Sequence, residues 1–329
     1  MRAIRFKEYG DPEKVLSLEN IPEPEITPGQ ILVRLKARSI NPSDVFTIRG
    51  EYGVKPKLPA SPGNEGAGVI EKVGSAVTNF KPGDRVTLYL GASGSRGTWL
   101  EYIAVDPENV MKTPDGLSDE QAATSWVNYL TAWVLSFEEL DLKRGDSVLV
   151  TALASHLGMA MLQLAKIVGF EVIGTVRREE QKQELLDMGA KAVIATDTEN
   201  LSRKIFRISG GKGIASAIDC VGGKVGTEVL KCLSPRGVSI VYGYMSEEPI
   251  QIDGRIIFSE AQVRGFWLAR WLNRASAEHQ KAIMERIVKH FVSGEFNSVI
   301  DSRFDLADYA AMIKKATSPG RKGKIVITG

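Results

Sequence analysis

The sequence predicts an α/β chain in two parts, a β-rich domain and a parallel doubly wound sheet with right-handed crossovers. Three observations carry this. The first ~115 residues run as short alternating segments broken by Gly and Pro. From Gly145 onward, apolar strand-like runs alternate with helix-like runs. Between Ser147 and Arg178, a strand, a small-residue loop, a helix and a second strand follow one another.

The elements follow in order. Met1-Arg-Ala-Ile-Arg-Phe alternates like a strand, as do Ile31–Ala37, Gly68–Val73 and Asp84–Leu90. Pro28-Gly29 and Pro82-Gly83-Asp84 are turns, because proline presets φ and glycine permits positive φ. Gly-rich turns between short strands suggest a partly closed barrel. Ser118-Asp-Glu-Gln121 starts a helix as a capping box, and the helix is expected to run to about Leu140. Strands are expected at 147–152, 171–176, 191–195, 214–220, 237–242 and 262–268, with helices at 158–168, 178–188, 199–209 and 223–233. Ser276 caps a long amphipathic helix ending at Gly294. A helix at about 305–317 and a closing strand at 324–329 follow, and this tail is expected to return to the first domain. The expected division is 1–123 with 272–329, and 124–271.

The strand–loop–helix–strand unit is the Rossmann arrangement, which sets a dinucleotide pyrophosphate on a helix N-terminus. The loop departs from G-x-G-x-x-G: Ala152 and Ala154 hold early small positions, His156 stands where glycine is common, and Gly158 remains. Arg177 and Arg178 end the second strand, where the adenosine ribose would lie. Their charge suits a 2′-phosphate and so NADPH, although two arginines also suit a solvated strand end.

The bulk numbers exclude several classes. The chain has 329 residues, 43% hydrophobic and 25% charged, which is ordinary for a globular protein of about two domains. A net charge of +2 and the lack of a long basic run argue against nucleic acid as a partner. No stretch approaches ~20 uninterrupted apolar residues, so no membrane span is expected. The N-terminal residues lack a signal-peptide core and the two cysteines, Cys220 and Cys232, imply no disulfide framework, so a reducing, cytoplasmic location is expected.

Six segments resemble the medium-chain dehydrogenase/reductase superfamily: Ile40-Asn41-Pro42-Ser43-Asp44, Gly63-Asn64-Glu65-Gly66, Lys81-Pro82-Gly83-Asp84, Gly97-Thr98-Trp99, Val127-Asn128-x-x-Thr131-Ala132 and Gly265-Phe266-Trp267-Leu268. More closely, they look like its zinc-free branch of mitochondrial-type enoyl thioester reductases, next to the quinone oxidoreductases. The resemblance implies a GroES-like catalytic domain beside the Rossmann domain. Zinc-dependent relatives carry cysteine near Ser43 and Gly-His-Glu near Gly63-Asn64-Glu65. Serine and asparagine are poor zinc ligands, and no catalytic zinc is expected. The implied reaction is hydride transfer from NADPH to the β-carbon of an alkene conjugated to a carbonyl, on a small-molecule substrate that is an enoyl thioester, a quinone or a 2-alkenal. Relatives are commonly homodimers joined at the nucleotide domain's edge strand, and Phe266–Leu268 with the strand before it could supply that edge.

The resemblance also nominates site residues. Tyr52 matches the tyrosine used by the enoyl reductases, and a phenol of pKa about 10 is protonated at neutral pH and can donate to an oxyanion. Asn41 matches a position beside the nicotinamide or substrate, though Asn before Pro also suits an Asx turn. Trp267 matches an acyl-pocket tryptophan, or is a core aromatic at the domain junction. Asn128 and Thr131 lie one helical turn apart, with Thr131 against the nicotinamide. The remaining cofactor contacts expected are the backbone amides of Ser155, His156, Leu157 and Gly158, the side chains of Arg177, Arg178 and Lys324, and Tyr242, which with Tyr244 ends a strand at the sheet's carboxyl edge. His156 also leaves open a catalytically quiet NADPH-binding protein, since its bulk could crowd the pyrophosphate.

Overall fold

The computed structural model describes residues 1–90, 97–318 and 320–329. The chain forms two compact units, Met1–Val127 with Met284–Gly329, and Asn128–Ile283. In chain order the elements are β1 (Arg2–Phe6), α1 (Pro12–Val15), β2 (Leu16–Asn20), β3 (Ile31–Ser39), α2 (Pro42–Arg49), β4 (Glu65–Val73), β5 (Arg85–Tyr89), β6 (Tyr102–Val105), β7 (Val110–Lys112), α3 (Asp119–Ala122) and α4 (Val127–Val134). They continue as β8 (Ser147–Val150), α5 (His156–Val168), β9 (Glu171–Val176), α6 (Lys182–Asp187), β10 (Ala192–Ala195), α7 (Leu201–Ile208), β11 (Ile214–Asp219), α8 (Gly223–Lys231), β12 (Leu233–Val241), α9 (Ile256–Ser259) and β13 (Gln262–Gly265). The chain ends with α10 (Leu268–Arg274), α11 (Ala277–Val292), β14 (Ile300–Phe304), α12 (Tyr309–Thr317) and β15 (Lys324–Thr328).

The second unit is the doubly wound sheet. Its strand order is β10-β9-β8-β11-β12-β13, and every pairing is parallel. The chain starts in the middle at β8, winds outward to β10, then returns to β11 beside β8. Ligands bind at the carboxyl ends of the strands flanking such a reversal. Both faces are covered, so β8 and β9 read as continuous apolar runs, with Leu149, Ile173 and Ile194 meeting Leu201, Ile205 and Val229 in one core.

The first unit carries a curved sheet of order β14-β15-β3-β4-β5-β7, with β6 also paired to β3 and a separate β1–β2 ribbon. Register shifts at Leu32/Val33 and Leu35/Ala37 bend β3 against β4. Two apolar cores lie on it. One gathers Ile4, Phe6, Ile40, Ile48, Trp99, Ile325 and Ile327, so the C-terminal strand packs with N-terminal residues. The other gathers Ile31, Val33, Ile70, Val86 and Leu88. Among the described residues, no helix is long and apolar enough to cross a membrane.

Four expectations need correction. The helix from Ser118 to Leu140 is broken. The Thr124 hydroxyl donates to the carbonyl of Glu120 (2.8 Å) and that of Ser125 to Ala122 (2.8 Å), taking the acceptors that the next turn needs. The Asn41–Asp44 segment, where Asn before Pro suits an Asx turn, opens α2: the Asp44 carboxylate accepts the Asn41 N–H at 2.7 Å, Pro42 sits at the first helical position, and Gly50 (φ 75°) closes the helix in the left-handed region. The strand expected at 262–268 stops at Gly265, and Trp267 is the N-cap of α10. The segment at 178–188 starts as a 3-10 turn at Glu179–Gln181 before α6.

At Gly68, β3 and β4 leave no room for a side chain. A Cβ there would stand 2.2 Å from the carbonyl oxygen of Arg34, on the neighbouring strand. Gly68→Ala should therefore destabilise the protein by about 1–3 kcal/mol in urea titrations. Gly29→Ala, where a Cβ would meet nothing within 4 Å, should stay within about 0.5 kcal/mol.

Candidate active site

The dinucleotide loop is built at the carboxyl ends of β8 and β9. Thr151 donates its hydroxyl to the buried Asp219 carboxylate at 2.7 Å, which also accepts the N–H groups of Val221 (2.9 Å) and Gly222 (3.1 Å). This ties the loops after β8 and β11 together at the reversal point. Ala152 then turns with φ 49°, a left-handed conformation that an L-residue adopts at a cost of roughly 1 kcal/mol and that glycine adopts freely. Its N–H donates to the Thr175 hydroxyl (3.2 Å), and the Leu153 N–H to the Thr175 carbonyl (2.8 Å). The helix packs so close to this turn that a Cβ on Gly158 would stand 2.2 Å from the Leu153 oxygen. That cradle is what survives of the glycine pattern, and it fits a bound pyrophosphate at the positive end of the 13-residue α5.

The structure revises the expected amide donors. Ser155 is the N-cap; its hydroxyl accepts the Gly158 N–H at 3.2 Å, while its own N–H donates to Ala152 at 2.8 Å. Those two amides are spent inside the loop. His156 and Leu157, the first residues of α5, are both buried. The His156 ring meets Tyr129 edge-on (centroids 5.4 Å apart, planes 81°), and Tyr129 also donates to Gln163 at 3.1 Å. Those contacts join α4, which carries half-buried Asn128 and buried Thr131, to α5. Arg177 and Arg178 are both exposed just past β9. Tyr242 follows β12, with burial and the neighbouring Cys220 thiol holding its phenol well above the ordinary value. Tyr244 is exposed and donates to the Glu247 carbonyl (2.6 Å). Trp267 is half-buried after β13, and Trp271 is buried and donates to Glu138 (2.7 Å).

In the first unit, three adjacent strands bring Ser39, Glu65 and Lys324 together beside Asn41. Glu65 opens β4; one carboxylate oxygen accepts from the Ser39 hydroxyl, from the Asn41 amide (3.0 Å) and from Lys324 (3.2 Å), and the other accepts the Val127 N–H at the start of α4 (2.9 Å). Lys324 also donates to the Asn41 amide oxygen and to the Ile40 carbonyl (3.4 Å). Expected at a cofactor surface, Lys324 is instead 3% exposed, with its ammonium pointed into this cluster. Burial draws its pKa down, with Glu65 opposing.

Beside this cluster, Asp44 accepts from the Asn41 backbone (2.7 Å) and from the Asn64 amide (2.6 Å), and Asn64 also reaches the Ser43 hydroxyl (3.3 Å). Of the two side chains at the positions where zinc-dependent relatives have ligands, Asn64 thus donates its amide both to the Asp44 carboxyl group and to the Ser43 hydroxyl. Tyr89 lies opposite Glu65 in the β4–β5 register and stacks on Trp126 (5.1 Å, 8°). Burial raises its phenol above the ordinary range, and the nearby Tyr52, Glu65 and Asp44 add to this. Tyr52 itself is half-buried in the turn after α2, its N–H on the Phe46 carbonyl (3.2 Å). The sequence reading missed Tyr89, Trp126, Asp44 and the role of Glu65. Pairing of two alternating strands would have set Glu65 opposite Tyr89, whereas Asp44 and Trp126 lie outside those strands.

Burial lifts Asp44 from 3.8 to about 7, against the pull of its N–H donors and of Lys324. The folded state therefore keeps this proton to a higher pH than the unfolded state. Its contribution to stability is fully present below about pH 4 and is lost as pH rises through about 7. Urea titrations at pH 5 and pH 8 should show wild type losing more stability than Asp44→Asn; equal losses would contradict this assignment.

Comparison with known proteins follows the same division. Residues 27–115 match the alcohol dehydrogenase GroES-like domain, and residues 157–289 match the zinc-binding dehydrogenase family. The mitochondrial enoyl-[acyl-carrier-protein] reductase of Bos taurus is 33% identical, covering 100% of this chain and 88% of that one, and the Arabidopsis thaliana enzyme is 32% identical over 99% and 88%. Among solved structures, the Pseudomonas syringae quinone oxidoreductase superposes with a TM-score of 0.90 at 28% identity, over 100% of this chain and 99% of that one. The Escherichia coli quinone oxidoreductase complexed with NADPH does so at 0.88 and 27%, over the whole of both chains. With the fold, the loop cradle and relatives along its whole length in agreement, this chain is an oxidoreductase using a nicotinamide cofactor and belongs to the medium-chain dehydrogenase/reductase superfamily, on its zinc-free branch.

Proposed function

We propose that the chain uses NADPH to reduce the carbon–carbon double bond of α,β-unsaturated acyl thioesters. The observation that carries this reading is Tyr52, a half-buried phenol close to Tyr89 on the unit where the Asn64 amide is engaged with the chain's own Asp44 carboxyl group. The enoyl reductases that align with the whole chain support the same substrate class.

In this reading the second unit holds the dinucleotide. The positive end of α5 meets the pyrophosphate, Arg177 and Arg178 meet the 2′-phosphate, and Asn128, Thr131 and Tyr242 serve the nicotinamide half. His156 and Leu157 contribute the first turn of α5. The bound cofactor supplies a hydride to the β-carbon. Tyr52 donates its O–H to the thioester carbonyl oxygen, steadying the negative charge that gathers there as the double bond's electron pair moves, and a proton then adds at the α-carbon. Asn41 contacts the nicotinamide or substrate with its amide, and Trp267 lines the acyl pocket. Ser43 and Asn64 are poor zinc ligands, and the Asn64 amide is engaged with Asp44 and the Ser43 hydroxyl, so in this reading stabilisation of the oxyanion falls to O–H and N–H donors.

The second reading is reduction of quinones or 2-alkenals, which the structural likeness to quinone oxidoreductases favours. We also propose a homodimer through the edge strand β13; Ile257 and Phe258, a few residues before it in the chain, are 70% and 82% exposed.

Steady-state rates with crotonyl-CoA, a small quinone and a 2-alkenal, followed by NADPH consumption, separate the readings. Turnover of the quinone alone would overturn the first, and tight NADPH binding with no turnover of any acceptor would overturn both. Tyr52→Phe should lower kcat about 10²-fold while changing NADPH affinity little, and an unchanged kcat removes Tyr52 from the mechanism. Arg177→Ala with Arg178→Ala should erode the preference for NADPH over NADH, and an unaltered ratio would place the 2′-phosphate elsewhere.

A further inference from the structure

We propose that Glu65 and Lys324 are positioning residues that clamp the side-chain amide of Asn41 in one of its two orientations. The functional half of this inference rests on the proposed contact of Asn41 with nicotinamide or substrate. The geometry of the clamp stands apart from that contact.

A carboxamide is a dipole with two ends of nearly equal size, so packing alone barely distinguishes it from its flipped form. Here the two ends meet opposite charges. The Lys324 ammonium donates to the amide oxygen, and the Glu65 carboxylate accepts from the amide nitrogen at 3.0 Å. A flipped amide would turn its oxygen toward the carboxylate and its N–H groups toward the ammonium. Both arrangements are repulsive, and the low-dielectric surroundings strengthen the difference, because Asn41, Glu65 and Lys324 are 2%, 0% and 3% exposed.

The clamp is rigid because its jaws are strand termini. Lys324 is the first residue of β15, Ser39 the last of β3 and Glu65 the first of β4, and these strands are neighbours in one sheet. Ser39 braces the inside: its hydroxyl donates to Glu65 and accepts from the Asn41 amide at 3.2 Å. The free Glu65 oxygen holds the Val127 N–H, so the carboxylate cannot swing away from the amide without exposing a backbone donor at the start of α4. The ion pair is thus more than a local balance of charge. It fixes which end of the Asn41 amide faces each jaw, and removing either charge would leave the other buried without compensation.

The test combines a readout that needs no turnover with one that does. In the cofactor-free protein, the Asn41 side-chain NH2 should exchange slowly with solvent, with one proton shifted downfield by its bond to the Glu65 carboxylate. Lys324→Met should speed that exchange, and the charge-neutral double variant Glu65→Gln/Lys324→Met should speed it and remove the downfield shift. Unchanged amide signals would overturn the clamp whatever the enzyme does. The double variant leaves neither Glu65 nor Lys324 as an unpaired buried charge and serves if the single variant fails to fold.

The kinetic arm uses whichever acceptor turns over, thioester or quinone. The double variant should lower kcat about 10-fold with little change in the KM for NADPH. The same pair of substitutions in an Asn41→Ala background should cost no further kcat. An equal loss in both backgrounds would mean that Glu65 and Lys324 act independently of Asn41, overturning the positioning role. If no acceptor is reduced, the functional reading of the chain fails, and the amide resonances still decide the clamp.

Discussion

The first unit is organised around a lysine and a glutamate buried side by side. Lys324 comes from the last strand and Glu65 from the fourth, 259 residues apart in sequence, yet they stand 3.2 Å apart with Asn41 and Ser39 between them. Neither charge could be buried alone, so the C-terminal strand must add to the sheet beside β3 for either to be accommodated. That requirement fixes the place of the tail, brings Ile325 and Ile327 into the core with Ile40 and Trp99, and holds the start of α4 through Val127. A buried ion pair is weak evidence of net stabilisation, but it is demanding about geometry, and geometry is what a reactive site needs.

The nucleotide-binding unit solves a different problem with poorer materials. A glycine-rich loop gives free access to positive φ and close backbone approach. This chain keeps only the second advantage, at Gly158, and accepts strain at Ala152 for the first. The strained turn persists because neighbouring groups over-determine it: Thr175 holds both Ala152 and Leu153, and Asp219 holds Thr151 and the loop after β11. His156, whose bulk threatened to crowd a pyrophosphate, is folded against Tyr129, and so becomes the packing surface that carries α4.

The motifs cover the chain unevenly. The apolar runs of the parallel sheet, the capped long helix and the closing strand were legible because each is a local pattern of hydrophobic period and end signal. Helix α2 was hidden because Asn41-Pro-Ser-Asp44 reads equally as a turn or as a capping box, and only the 2.7 Å bond from Asn41 to Asp44 decides between them. The break between α3 and α4 was hidden because Thr124 and Ser125 are compatible with a helix interior until their hydroxyls take the carbonyls of the preceding turn.

By itself, the sequence determined most of the succession of strands and helices, the small-residue loop after β8, the two arginines after β9, and the presence of Ser43 and Asn64 where zinc-dependent relatives have ligands. Those properties depend on residue types at short spacing. Tertiary structure alone decided that Lys324 faces inward toward Asn41 and Glu65, that Tyr89 stands opposite Glu65 and near Tyr52, and that Ser155 and Gly158 spend their amides on each other's loop. Each of these rests on strand register or on desolvation, and both come into being only when segments far apart in the chain are packed against one another.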